Sequence, residues 1–156
     1  MPGLLHLSGL ESDQALRSDL ACLADMLDRA SAAVGMAAFV DFWHGGDGWS
    51  HLPESRKDLL ARQADVVLQD FREAFAEPVP CRELLAYTGP VQIAVGERTR
   101  MHASRMAALL GGLFPNTQYQ RFAGMGHMGP CTHPEPVNDV IFDWLGRVAD
   151  RRIAAA

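Results

Sequence analysis

Pro90-Val91-Gln92-Ile93-Ala94-Val95-Gly96 is short, apolar and rich in β-branched residues, with proline at one end and glycine at the other. A run of that length and composition reads as a buried strand. Beyond it, His102 to Leu110 carries Met106, Leu109 and Leu110 at helical spacing, and Leu113 continues the apolar side. Leu113-Phe114-Pro115-Asn116 stops and turns the chain, and Thr117-Gln118-Tyr119-Gln120-Arg121-Phe122 alternates as a second strand. Two strands joined through a helix are expected to lie parallel. Parallel strands are normally buried on both faces within a larger sheet, and two make a poor sheet by themselves. A missing part of the same protein, or a second copy, is therefore expected to pair with them.

A final helix is expected from Thr132-His133-Pro134-Glu135, where a threonine and a glutamate three residues on have the spacing of a capping box. Its buried face would be Val137, Val140, Ile141, Trp144, Leu145 and Val148. Towards the N-terminus the apolar spacing is helical. Leu16, Leu20, Leu23, Leu27 and Ala30 mark one face of a helix that Ser12 or Asp13 would cap. A second helix is predicted over Ala32 to Phe42 and is broken by His44-Gly45-Gly46-Asp47-Gly48, whose three glycines remove the helical preference. Pro53 suits the first turn of a third, buried through Leu59, Leu60, Val66, Val67, Phe71 and Phe75 and ended by Pro78 and Pro80. The fold class reads as α/β: a mainly helical region over 1–85, then a βαβα parallel-sheet unit over 86–156, together one incomplete domain.

Bulk properties narrow the function. Hydrophobic residues make up 48% and charged residues 21%, values ordinary for a soluble globular protein, and 156 residues suffice for one compact domain. The net charge of -5 lacks the basic face that nucleic acid or an anionic membrane would need. No stretch approaches the ~20 apolar residues that span a bilayer, and Met1 to Leu10 has no basic region or cleavage site of a secretory signal. A cytoplasmic location is expected. Cys22, Cys81 and Cys131 are odd in number and far apart, which suits reduced thiols rather than a disulfide framework.

The residues richest in chemistry are Gly124-Met125-Gly126-His127-Met128-Gly129-Pro130, after the second strand and before the last helix. Glycines on both sides let the backbone turn tightly. An imidazole held there suits general-base work, because its ordinary pKa lies near neutrality.

With the strand Pro90 to Gly96 and Glu97-Arg98, the Leu113–Asn116 turn, this histidine turn and the final helix, residues 90 to 148 closely resemble the last two strands of α/β-hydrolases. The resemblance implies that His127 is the base of a Ser-His-acid triad, and that the earlier helices form a lid. Trp43, Trp49 and Met128 would then line a pocket for an ester-like small-molecule substrate. The implied function is the C-terminal part of a serine hydrolase acting on an ester, thioester or amide, with no metal or organic cofactor.

Two departures matter. The family's nucleophile elbow, G-x-S-x-G, is absent: Gly48-Trp49-Ser50-His51-Leu52 lacks the final glycine and follows no strand. A triad base without a nucleophile has nothing to deprotonate, so the serine is expected outside this chain. The family's acid often follows as Gly-x-x-Asp, whereas Gly96-Glu97-Arg98-Thr99 puts threonine there and leaves Glu97 as the candidate acid. The alternative is a non-catalytic module that dimerises or binds a small hydrophobic ligand. His127, Cys131 and His133 are three metal-ligand types within seven residues, but no fourth ligand is evident and two prolines restrict them, so no metal is expected. Ser50 beside His51 reads as a loop or cap, since sequence neighbours rarely reach triad geometry.

Overall fold

The computed structural model describes Leu5 and residues 8–76 and 81–154. Helix α1 (Glu11–Arg29) forms because Leu20, Leu23 and Leu27 recur on one face, and that face is buried. Glu11 and Asp13 in its first turn and Arg29 in its last complement the helix dipole. The anticipated cap is corrected. Leu10 occupies the N-cap position without a side-chain cap, and Ser12 and Asp13 lie inside the helix. Asp13 is instead 1% exposed and accepts two hydrogen bonds of 2.8 Å from Arg105, a stronger claim on a carboxylate than a neutral backbone donor.

Helix α2 (Ala32–His44) crosses α1 where Gly35 allows close approach; a Cβ there would stand 3.1 Å from the Leu27 Cα. It runs two residues past Phe42, because Gly45, with φ of 81°, is the residue that closes it in the left-handed conformation. The single third helix is corrected to two, α3 (Glu54–Ala61) and α4 (Ala64–Ala76). Neither glycine nor proline marks the break at Arg62-Gln63. It lets α3 pack on α2 while α4 packs on both α1 and α2. Ala64 and Leu68 are the buried positions of α4, and Val66 is 60% exposed. Pro78 and Pro80 lie outside the described residues. Leu27, Met36, Ala64 and Leu68 form the first core cluster, with Phe39, Trp49, Leu60 and Val67 packed against it.

After the short α5 (Cys81–Ala86) come β1 (Val91–Gly96), α6 (Met101–Gly111) and β2 (Thr117–Phe122). The strands pair in parallel, from Val91 opposite Thr117 to Gly96 opposite Phe122. A short helix α7 (Gly129–Thr132) then precedes α8 (Pro134–Ala154). The capping box does not form: Thr132 Oγ1 donates to the Met128 carbonyl and lies 2.8 Å from His133 Nδ1. Its hydroxyl thus serves α7 rather than α8. Of the face predicted for α8, Val137 is buried and Ile141 and Leu145 are exposed, beside Phe142 at 69%. Val137 joins Phe122 and Met125 in the second core cluster.

These facts overturn the α/β class and the C-terminal βαβα portion of an α/β-hydrolase fold. Among the described residues 65% are helical, in eight helices, and the sheet has only two strands. The alternation after residue 85 reads as a piece of a repeating sheet layer. It supplies only two six-residue strands, while helices provide every member of the first core cluster.

The helical layer is tied to α6 by polar contacts. Besides Asp13–Arg105, His102 Nε2 lies 3.2 Å from Asp19 Oδ2, and Arg100 Nη1 donates to the Phe42 carbonyl at 2.8 Å. No described helix is long and apolar enough to cross a membrane.

Candidate functional site: an apolar cavity closed by the histidine turn

The turn after β2 is held from three directions. Glu97 N–H donates to the Phe122 carbonyl at 2.9 Å, and Arg98 N–H donates to the Met125 carbonyl at 2.8 Å. Gly124, with φ of 69°, donates its N–H to Glu97 Oε2 at 2.9 Å. The turn crosses the end of β1 so closely that a Cβ on Gly96 would meet the Met125 and Gly126 carbonyl oxygens at 2.5 and 2.6 Å. Met125, buried against Phe122 and Val137, anchors it below. His127 is thereby carried on a fixed backbone to the wall of a cavity.

Trp43, on the last turn of α2, stacks on that imidazole with ring centroids 4.5 Å apart and planes 27° apart. Phe42 and Phe39 meet Trp43 edge-on, at 5.0 and 6.3 Å. The indole is therefore held from behind by the aromatic residues of its own helix. Part of His127 stays exposed. Burial of the rest, and secondarily the charge of His44, lower its pKa from the ordinary histidine value. The shift favours the neutral form, the one that can accept a proton. No other described residue hydrogen-bonds its ring.

The cavity that His127 closes has a volume of about 570 Å³, within the range of small-molecule sites, roughly 300–1,000 Å³. Met36, Phe39, Val40, Leu52, Leu60, Val67 and Phe71 form its apolar walls. Trp43, His44, Arg56, His127, Met128, Cys131 and Thr132 complete it. A smaller cavity of about 200 Å³ lies on the other side of the turn, along Ala94, Gly96, Thr99, Ala103 and Ala107. His127 lines both.

Of the residues predicted from sequence, the structure brings Trp43, His127 and Met128 together at one wall. Trp49 is elsewhere: it packs on the first core cluster, and its N–H donates to Asp41 Oδ1 at 2.7 Å. The Gly45-Gly46 turn thus folds the chain back so that Trp49 supports the wall from behind. The Glu97 carboxylate binds the Gly124 N–H and makes no hydrogen bond to His127. It positions the turn, and Thr99 lines the smaller cavity. Ser50 lies 3.2 Å from His51 Nδ1, but both are exposed and absent from the walls of either cavity. Among the described residues no group of three His, Cys, Asp or Glu gathers as a metal site. Cys22 and Cys131 are free and exposed.

Sequence reasoning misses His44 and Arg56. His44 was legible only as the last residue before a glycine break, and Arg56 only as part of a charged helix start. Their place at the cavity follows from how α2 and α3 pack. No protein family, curated protein or solved structure matches this chain.

Proposed function

We infer that this chain forms the apolar substrate pocket, and holds the general base, of a hydrolase that cleaves an ester, thioester or amide bond. Its nucleophile is supplied from outside these residues. The observation that carries the reading is the imidazole of His127, fixed on a tied turn at the wall of a largely apolar cavity, where partial burial favours its uncharged form. Such an imidazole can take a proton from an attacking hydroxyl when that hydroxyl comes within hydrogen-bond reach. The apolar walls would hold the acyl body and exclude water, and Trp43 would set the ring plane. Kinship with the α/β-hydrolases is part of this proposal. It rests on the Pro90–Arg98 and Gly124–Met128 stretches, not on the sheet.

The test is the native protein in its source cells, captured with an antibody to this chain and treated with a fluorophosphonate. A band near roughly 30 kDa, the size of a complete domain of 250–300 residues, that takes up the probe supports the reading. Loss of ester turnover by several orders of magnitude in His127→Ala then identifies the base. A band near 17 kDa that neither labels nor turns over esters overturns it.

A second reading is a non-catalytic module that binds a small hydrophobic ligand and self-associates. It is favoured by the exposed Ile141, Phe142 and Leu145 on α8, an apolar face of the kind that protein contacts cover. Sedimentation that shows a monomer at all concentrations would remove the self-association.

A further inference from the structure

Apart from its histidines, the cavity has one charged side chain among the described lining residues, a cation. Arg56 is the one Arg, Lys, Asp or Glu among the described residues that line it, although the chain as a whole carries a net charge of -5. Neither an ion pair nor a side-chain hydrogen bond engages Arg56 among the described residues, even though its neighbour Lys57 is taken by Glu54 at 2.7 Å. The other polar groups are His44 and His127, which donate through a ring N–H, together with Thr132 and Cys131. An apolar cavity whose open rim carries an exposed, unengaged guanidinium, with no carboxylate among the described lining residues to repel an anion, is complementary to one kind of molecule.

We propose that the ligand of this cavity is an amphipathic carboxylate, an apolar chain or ring system with one carboxylate that Arg56 receives. This rests on the reading of the cavity as a ligand site and adds the charge of what enters it. The guanidinium is suited to the task, since its planar fork gives a carboxylate two parallel hydrogen bonds. Met36, Phe39, Leu60, Val67 and Phe71 take the apolar body, and Trp43 reports its arrival. In a hydrolytic setting the carboxylate is either the acid released or the distal end of the acyl group.

The experiment compares decanoate with decanol, which share a chain and differ in charge, by calorimetry and by Trp fluorescence of the purified chain. Decanoate is expected to bind more tightly than decanol, with an affinity that falls as salt rises. Arg56→Gln should weaken decanoate on the order of tenfold, as for loss of a charge-assisted hydrogen bond at an exposed site, and leave decanol unchanged. Arg56→Lys should restore part of the difference. If both ligands bind equally well, and Arg56→Gln alters neither, the cavity stands as an apolar site and the carboxylate proposal falls. If neither ligand binds, the reading of the cavity falls with it.

Discussion

Gly96→Ala should unfasten the histidine turn while leaving the helical layer in place. The added Cβ would stand 2.5 Å from the Met125 carbonyl oxygen, 2.6 Å from that of Gly126 and 2.9 Å from the Met125 carbonyl carbon. These are backbone atoms, so no rotamer change relieves the clash. The turn cannot simply lift, because Arg98 N–H holds the Met125 carbonyl and Glu97 holds the Gly124 N–H. Overpacking of this kind typically costs about 1–3 kcal/mol. A chain of this length loses roughly 2–4 °C of melting temperature per kcal/mol, so circular dichroism should record a fall of a few to about ten degrees. The Trp43–His127 stack should loosen with the turn, changing Trp fluorescence. Gly111→Ala is the control. Its Cβ would meet the end of the Tyr119 side chain at 1.7 Å, but Tyr119 is 53% exposed and can swing aside. A Gly96→Ala protein as stable as the parent, with unaltered fluorescence, would refute the idea that this crossing holds the turn.

Met36 is 1% exposed within the first core cluster, and Met36→Ala should lower unfolding stability by about 2–5 kcal/mol in urea titrations. Arg105 holds the Asp13 carboxyl below its ordinary pKa, so its contribution is present above about pH 4 and lost as the pH falls below that. Asp13→Asn should flatten the acid limb of a plot of stability against pH. His127 is depressed as well, but as a base: its neutral form is favoured by folding, so stability should begin to fall as the pH drops below about 6.5. His127→Gln should remove that step and leave the Asp13 limb.

What the sequence reveals is local. The strands are marked by β-branched residues between Pro90 and Gly96 and by alternation up to Phe122, and the face of α1 by leucines at helical steps; these signals belong to the segments that carry them. The turn is legible for the same reason, since Gly124 and Gly126 flank His127. What is not legible depends on distant partners. Asp13 looks like a cap until Arg105, far along the chain, is there to receive it. Thr132 and Glu135 have capping spacing, yet the hydroxyl is drawn to Met128. The alternation of strand and helix predicts a sheet layer, and nothing within it says that the alternation stops after two strands. Trp43 and Trp49 look equivalent in sequence. The fold of the Gly45-Gly46 turn sends one to the cavity and the other behind it.

The two core clusters give the site its thermodynamic meaning. Leu27, Met36, Ala64 and Leu68 belong to the helices, and Phe122, Met125 and Val137 to the second strand, the turn after it and the last helix. The cavity has walls from both sides: Met36, Leu60 and Val67 from the first, and the turn that Met125 anchors from the second. A ligand seated there exchanges contacts with both, so it stabilises their joint folding rather than either alone. At a free concentration a hundred times its dissociation constant, a ligand that binds only the folded chain adds about 2.7 kcal/mol, or roughly 5–11 °C at the sensitivity expected for this length. Decanoate should therefore raise the melting temperature by that amount. Far-ultraviolet signal from the helices and fluorescence from Trp43 should then move together. Decanoate that binds by calorimetry but leaves the melting temperature unchanged would place its site outside the cavity and remove the link between filling it and holding the two clusters together.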